Sequence, residues 1–373
     1  MKIDFVIVVF VPKIGKKLKI GKFFSNIKNK VKNEENSILG IDLGTTYTLI
    51  CLKNKGIVLN ESSTISYIND SGVSSNFLYG NEAKDLIGKT PIRIEVSNPL
   101  EDGVICDHHM SEQMITHFIN QTIGKQIINN PIIIAGVPIG ATNVEKKAIQ
   151  DILERCNAKE AYLCYESILA AVGSGLPIDK PYGSMVIDIG GGTTEISVIS
   201  LGGIIKTRAF KYGGRKIDRA IIDYILYKHN LLIGENTAED IKKKIGAVYI
   251  KPNEKPKEIN IQGRNLKTHI PQEITISQQD LVVALSEFTN LLIDNVRQIL
   301  ECTPPELMKD ILKDGCYLCG GGANLANIDY VFEKLLSLKS HKIEKPELAV
   351  IKGLEKIIQD YKQYDHLLFQ QLN

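Results

Sequence analysis

The sequence predicts an α/β protein built as two similar lobes that face each other across a cleft. Strand-like apolar runs alternate with amphipathic helical stretches, and one pattern (strand, acid, glycine, threonine, strand) occurs twice. "NNPIIIAGVPI" is a buried-strand run, and "ATNVEKKAIQDILERC" after it places Val144, Ala148, Ile149, Ile152 and Leu153 on one helical stripe. The chain has 373 residues, 43% hydrophobic and 24% charged, which suits two full cores and excludes disordered and fibrous classes.

The chain opens with a basic head. Residues 1 to 32 hold nine Lys and one Asp, a balance of +8 within a formal net charge of +2, so the remaining body is acidic by −6. That overall balance argues against a nucleic-acid partner. "FVIVVFV", Phe5 to Val11, is too short to cross a bilayer, which takes about 20 residues, and no small-residue cleavage site follows it. Ile20, Phe23, Phe24, Ile27 and Val31 recur at helical spacing among Lys22, Lys28, Lys30 and Lys32. This pattern fits a helix lying on an anionic membrane surface; the competing readings are a disordered solvated tail or an upstream extension not present in the working protein.

Next comes "ILGIDLGTTYTLICL", Ile38 to Leu52, where Asp42 interrupts a strand. A buried carboxylate is costly, so Asp42 either caps a turn or holds something charged. Its echo, "GSMVIDIGGGTTEISVISL", places Asp188 146 residues later in the same pattern. Two such turns meeting at a cleft would clamp one polyphosphate. Glycines let backbone N–H groups approach phosphate oxygens, Thr hydroxyls add donors, and two carboxylates suit a hydrated magnesium ion. A third glycine-rich turn, "YLCGGGANL", lets the backbone approach a nucleoside at Gly320, Gly321 and Gly322.

Other motifs read more plainly. "AKDLIGKT" has Ala83 where a phosphate-binding GxxxxGK[ST] loop needs Gly, so Gly88, Lys89 and Thr90 are a helix end and loop. Cys316 and Cys319 lie on a strand, where residues three apart face opposite ways, and "CDHH" (Cys106 to His109) has no partner cluster; neither reads as a metal site. Seven Cys without regular spacing point to a reducing compartment. Between about 251 and 277, Pro and Gly breaks surround short strands, an inserted subdomain. "ENTAEDIKKKIG" reads as a helix capped by Thr237, with Ile241 and Ile245 inward and Glu239 and Lys242 on one face as a solvated ion pair.

With these parts in this order, the chain resembles the superfamily of actin, DnaK-type chaperones and sugar kinases, and within it the bacterial actins of the MreB family. "GIVLNE", "AKDLIGKTP", "EDGVICD", "GVPIGAT", "AAVGSGLPI", "TAEDIKKKIG", "QGRNL" and "CTPPEL" carry the likeness between the phosphate turns and beyond them, from about residue 37 to 360. The resemblance implies an actin-like ATPase fold of two duplicated domains around a nucleotide cleft, each with a smaller subdomain. Residues 1–36 would be the basic extension, 37–180 the first domain with a small subdomain at about 68–100, 181–345 the second with an insertion at about 214–285, and 346–373 a C-terminal helix returning to the first.

It also implies roles. ATP would bind with magnesium between Asp42 and Asp188, contacted by Gly44, Thr45, Thr46 and Tyr47 on one side and Gly190, Gly191, Gly192 and Thr193 on the other. Glu239 and Lys242 would meet the ribose and adenine, with Gly321, Gly322, Ala323 and Asn324 opposite. Glu166 in "LCYESILAAVG" would activate the attacking water, with Thr194 as its partner. The implied protein is a slow ATPase that assembles head to tail and organises cell shape and wall synthesis. It would be cytoplasmic, lie at the inner face of the cell membrane, and work with membrane proteins of the shape-determining machinery. A nucleotide-gated chaperone or a small-molecule kinase on the same fold are the alternatives, the first disfavoured because the chain ends soon after the ATPase body. Against the MreB pattern, Tyr47 replaces Asn, Arg215 replaces Asp in "GGRKID", Tyr165 and Ser167 flank Glu166, Asn324 replaces an apolar residue, and Leu354 and Glu355 stand at glycine positions.

The basic head yields a direct test. Deleting residues 1–36 is expected to abolish co-sedimentation with anionic liposomes and leave behaviour with neutral liposomes unchanged; unaltered sedimentation would refute the membrane role.

Overall fold

The computed structural model describes residues 38–70, 73–126 and 130–371. The proposed membrane-contacting head, residues 1–36, lies outside them. Along the first lobe run β1 (Ile38–Leu43), β2 (Tyr47–Leu52), β3 (Gly56–Ser62), β4 (Ile65–Asp70), β5 (Val73–Tyr79), α1 (Gly80–Lys84) and β6 (Ile94–Ser97). The short β7 (Leu100–Glu101) and β8 (Val104–Ile105) lead to α2 (His108–Gln126), β9 (Ile132–Val137), α3 (Asn143–Arg155), β10 (Glu160–Tyr165) and α4 (Glu166–Gly173). The second lobe contains β11 (Ser184–Ile189), β12 (Thr194–Ser200), β13 (Gly203–Phe210), α5 (Gly214–His229), β14 (Leu231–Leu232) and α6 (Glu235–Ile245). It continues through β15 (Glu258–Asn265), β16 (Pro271–Ser277), α7 (Gln278–Ala284), α8 (Ser286–Cys302), α9 (Pro305–Asp314), β17 (Cys316–Cys319), α10 (Ile328–Leu336) and β18 (Ser340–Lys342). Helix α11 (Ala349–Gln359) follows.

The repeated sequence pattern is a repeated topology. One five-stranded sheet has the order β3-β2-β1-β9-β10 and the other β13-β12-β11-β17-β18. In each, the strand bearing the Asp forms an antiparallel hairpin with the next strand and runs parallel to a later one. Both Asp-bearing strands are buried along their whole length, as central strands covered on two faces must be.

Strand parity decides where the acids point. Leu39, Ile41 and Leu43 pack outward with Met114, Ile115 and Phe118 of α2 and Ile149, Ile152 and Leu153 of α3. Met185, Ile187 and Ile189 likewise face the second lobe's own core. The alternate residues Ile38 and Val186 join a third cluster between the sheets, filled by α4 and α11, and Asp42 and Asp188 share their parity. Both carboxylates therefore emerge between the lobes.

The layer that separates the sheets depends on small residues. A Cβ on Gly173 of α4 would run into the Ala349 carbonyl of α11, and one on Gly353 of α11 into the Leu169 carbonyl of α4. Ala170, Ala171 and Ala349 are buried beside them, so the two backbones are in near contact.

Three local expectations need correction. Val144 is not on the buried stripe of α3: it is 80% exposed, and Lys146 and Gln150 are buried instead. The reason is a capping box between Thr142 and Glu145, which starts the helix just before Val144 and turns it to solvent. Thr237 does not cap α6. Gly234 does, its carbonyl accepting from Ala238 N–H at 3.0 Å, and Thr237 lies inside the first turn. Ile241 and Ile245 face inward as expected. Nor do Glu239 and Lys242 pair with each other: Glu239 bonds Lys84 and Lys243, and Lys242 bonds Asp218. Cys316 and Cys319 do face opposite ways, into the second lobe's core and the inter-sheet cluster respectively.

Replacing Gly173 by Ala should destabilise the fold by about 1–3 kcal/mol or more, because the new methyl meets backbone that cannot yield. Denaturant titration of this variant against wild type checks it, and an unchanged midpoint would contradict the close crossing.

Candidate active site in the inter-lobe cleft

The cleft between the lobes has a volume of about 760 Å³, within the range of about 300–1,000 Å³ of small-molecule sites. Its walls include Asp42, Gly44, Thr45, Thr46 and Tyr47 from the first lobe and Asp188, Gly190, Gly191, Gly192 and Thr193 from the second. Glu166, Glu239, Lys242, Gly321, Gly322 and Asn324 complete the sequence-derived set. Two expected residues are elsewhere. Thr194 is fully buried on β12 with its hydroxyl donating to Tyr212 O at 2.7 Å, and Ala323 is turned into the core.

The two glycine–threonine turns touch. A Cβ at Gly192 would sit 2.6 Å from Thr45 Oγ1 and from Asp102 Cα, and one at Gly191 would collide with Thr46. Only glycine permits this approach, which brings the backbone N–H groups of both turns to one place. Each turn is braced from behind. Ser63 Oγ donates to Gly44 O at 2.6 Å, Ser63 N–H to Thr46 O at 2.9 Å, and Gly103 N–H to Thr45 Oγ1 at 2.7 Å. On the other side, Gly214 N–H and Arg215 N–H at the start of α5 donate to Gly190 O and Gly191 O, both at 2.9 Å.

Four carboxylates converge where these turns meet, Asp42, Asp188 and Glu195 buried and Glu166 half-buried. Burial, reinforced by the charge of Asp188, pushes Asp42 up to about 7, and burial pushes Asp188 up to about 6. Glu166, the first residue of α4, is held well above the usual carboxylate range by burial and then by Glu195, Asp42 and Asp188. Glu195 lies opposite Asp188 in the β11–β12 register and is pushed up to about 8, by burial first and then by Asp188. Ile139 N–H donates to its Oε1 at 2.9 Å, whereas Oε2 is buried without a partner. Such a set favours a bound cation or shared protons. Among the described residues no group of three or more His, Cys, Asp or Glu side chains is placed to hold a metal ion.

In the same walls, Glu239 on α6 pairs with Lys84 at 2.6 Å and Lys243 at 2.7 Å. Burial raises its proton affinity, but the bonds from Lys243 and Lys84 outweigh that and hold it below its ordinary value. Lys242 bonds Asp218 Oδ2 at 2.8 Å and Gly214 O at 3.0 Å, beside the second turn. Asn324 donates to Glu347 at 3.1 Å on the glycine-rich side.

The sequence reading missed Asn60, Gly103, Lys243 and Glu347 in the walls, and Glu195 and Ser63 behind them. Lys243 carried a signal, its i,i+4 spacing from Glu239. Gly103 and Ser63 reach the first turn from distant strands, and no local pattern announces that.

Comparison with known proteins places the whole body of the chain among relatives of one family. Residues 36–366 match the family model described as MreB/Mbl protein. The chain is 41% identical over 315 residues to the cell shape-determining protein Mbl of Bacillus subtilis, covering 84% of this chain and 93% of that protein. It is 39% identical over 336 residues to the cell shape-determining protein MreB of Escherichia coli, covering 89% and 96%. Among solved structures, MreB5 of Spiroplasma citri bound to ADP superposes with a TM-score of 0.82 at 33% identity, covering 88% of this chain and 98% of that one.

The buried acids predict a pH signature in nucleotide-free protein. A carboxyl raised in the folded state favours folding fully below its unfolded pKa, near 3.8 for Asp42, and that contribution is lost as pH rises through about 7. Asp42→Asn should therefore raise the melting temperature more at pH 8 than at pH 5 while weakening binding of magnesium nucleotide. An equal gain at both pH values would refute the electrostatic account.

Proposed function

The chain belongs to the MreB/Mbl family of cell shape-determining actin homologues, and we propose that it binds ATP with magnesium in the inter-lobe cleft and hydrolyses it during head-to-tail assembly. The observation that carries this reading is the meeting of both glycine–threonine turns with Asp42, Asp188 and Glu166 in one cleft. Backbone N–H groups and hydroxyls of Gly44 to Thr46 and Gly191 to Thr193 would hold the phosphates, Gly190 N–H being bonded to Thr193 O at 2.9 Å within the turn. Asp42 and Asp188 would hold magnesium through water; when bound, it offsets phosphate charge. Glu239 and Lys242 would orient the sugar and base, and Gly321 and Gly322 let the nucleoside lie against the backbone.

Glu166 is the proposed general base. Its raised proton affinity suits a carboxylate that takes a proton from water as the water oxygen bonds to the γ-phosphorus and the bond to ADP breaks. Thr194 is a less direct participant than its sequence position implies, since its hydroxyl is committed to Tyr212.

Assembly is proposed as a heterologous contact that does not close, which yields filaments. ATP would favour the cleft-closed, assembly-competent conformer. We place the protein at the inner face of the membrane through residues 1–36, beside membrane proteins of the shape-determining machinery; among the described residues no helix is long and apolar enough to cross. Family membership disfavours the chaperone and kinase readings.

The test combines pelleting and phosphate release. With ATP and magnesium the wild type should sediment and release phosphate, whereas Glu166→Ala should keep nucleotide binding and lose most release, on the order of 10²-fold or more. Wild-type release by the variant would refute the role of Glu166, and protein that stays monomeric with ATP would refute assembly.

A further inference from the structure

Two residues that depart from the family pattern, Arg215 and Tyr47, sit where the lobes touch. Arg215 contacts both phosphate turns. Its backbone N–H donates to Gly191 O at 2.9 Å in the second lobe. Its guanidinium crosses the cleft, one nitrogen donating to Leu100 O at 3.2 Å and the other, in a shorter bond, to Thr45 O. Thr45 is thereby held by its carbonyl from Arg215 and by its hydroxyl from Gly103. Burial lowers the proton affinity of the half-buried guanidinium, and the negative charge of Glu101, Glu235, Asp102 and Asp218 opposes that; an arginine stays ionised throughout.

Tyr47 marks a second crossing. Lys84 of the first lobe bonds Tyr47 Oη at 3.2 Å and Glu239 of the second at 2.6 Å. Lys243 of the second lobe bonds the same Glu239 at 2.7 Å and reaches back to Tyr47 Oη at 3.4 Å. Both ammonium groups lie near the Tyr47 ring, 5.0 and 5.8 Å from its centre. Lys84 and Glu239 side chains are only 19% and 14% exposed, so this pair is better shielded from salt than a surface bridge.

We propose that Arg215 is a positioning residue that ties the two phosphate turns together and that, with the Lys84–Glu239–Lys243–Tyr47 cluster, it latches the cleft closed and slows nucleotide exchange. Opening the lobes must break the bonds from Arg215 to Thr45 and Leu100 and the Lys84–Glu239 pair before a nucleotide can leave. A neutral side chain, or an acid, at 215 has no donors for those two carbonyls. Guanidinium suits the task because its planar fork serves two acceptors at once, which a lysine ammonium on a flexible stem does less well. The proposal rests on the reading of this cleft as a nucleotide site.

The experiment is release of a fluorescent ADP analogue by stopped-flow, chased with excess unlabelled ADP, at protein concentrations where nothing sediments. Wild type, Arg215→Lys, Arg215→Ala and Lys84→Met are compared, with melting temperatures recorded for each. Release should speed up between about fivefold and a hundredfold in Arg215→Ala, less in Arg215→Lys, and also in Lys84→Met. Small-angle scattering of nucleotide-free protein should show the folded variants more expanded than wild type. A merely structural Arg215 would lower the melting temperature and leave release from folded protein unchanged. Should Arg215→Ala fail to fold, Arg215→Lys and Lys84→Met carry the test; wild-type release rates in both overturn the latch. Failure of wild type itself to bind the analogue would instead overturn the nucleotide reading beneath it.

Discussion

Like charges buried side by side cannot all ionise without a cation or a shared proton, and this constraint organises the whole molecule. Asp42, Asp188 and Glu195 are nearly removed from water at the junction of two sheets, and Glu166 beside them is half-buried. Each pKa unit by which such a group is raised represents about 1.4 kcal/mol against its charged form. A fold selected for stability alone would replace these acids with apolar side chains. Their retention makes sense where the missing positive charge arrives with a ligand, and where the protein's own hydrogen bonds keep the cavity in shape meanwhile.

Placing acids from separate sheets together requires the sheets to be close and in register. Strand parity points Asp42 and Asp188 inward, but parity alone would leave them far apart if bulky helices separated the lobes. The near contact of α4 and α11 through Gly173 and Gly353 thins the intervening layer. Helix α4 also begins with Glu166, so the element that sets the spacing carries the proposed general base at its cleft-facing end. Packing and chemistry thus share one helix, and a change in its crossing with α11 would shift the base relative to the phosphates.

The sequence disclosed the duplicated hairpins, the inward acids and most cleft-lining residues because each is a local pattern with a physical reason. An acid in an apolar strand, glycines where backbone must approach, and a repeated spacing are all visible without coordinates. What stayed hidden was tertiary. Thr194 and Thr193 look alike in the sequence, yet Thr193 lies in the turn and reaches the cleft, whereas Thr194 begins β12 and is buried with its hydroxyl on Tyr212. Glu239 and Lys242 look like partners at i,i+3, but stronger partners from α1 and α5 claim each of them. Ser63, Gly103 and Glu195 act through contacts between residues far apart in the chain, and those leave no periodic trace.

Closing and opening forces are therefore built into the same cleft. Mutual repulsion of the buried acids pushes the lobes apart, and the bonds from Arg215 and the Lys84–Glu239 pair pull them together. A hydrogen bond from a charged donor contributes about 1.5–3 kcal/mol, the same order as the cost of ionising one buried acid. With terms this close in size, an added cation and phosphates need supply only a modest differential affinity to move the population. Shifting a two-state balance from mostly open to mostly closed takes about 5.5 kcal/mol, and every contact already made by the protein lowers what the ligand must contribute. A chain with Arg215 in place therefore spends more time closed before nucleotide arrives and surrenders ADP more slowly afterwards. The residue would tune how long the assembly-competent state persists without touching the reacting atoms.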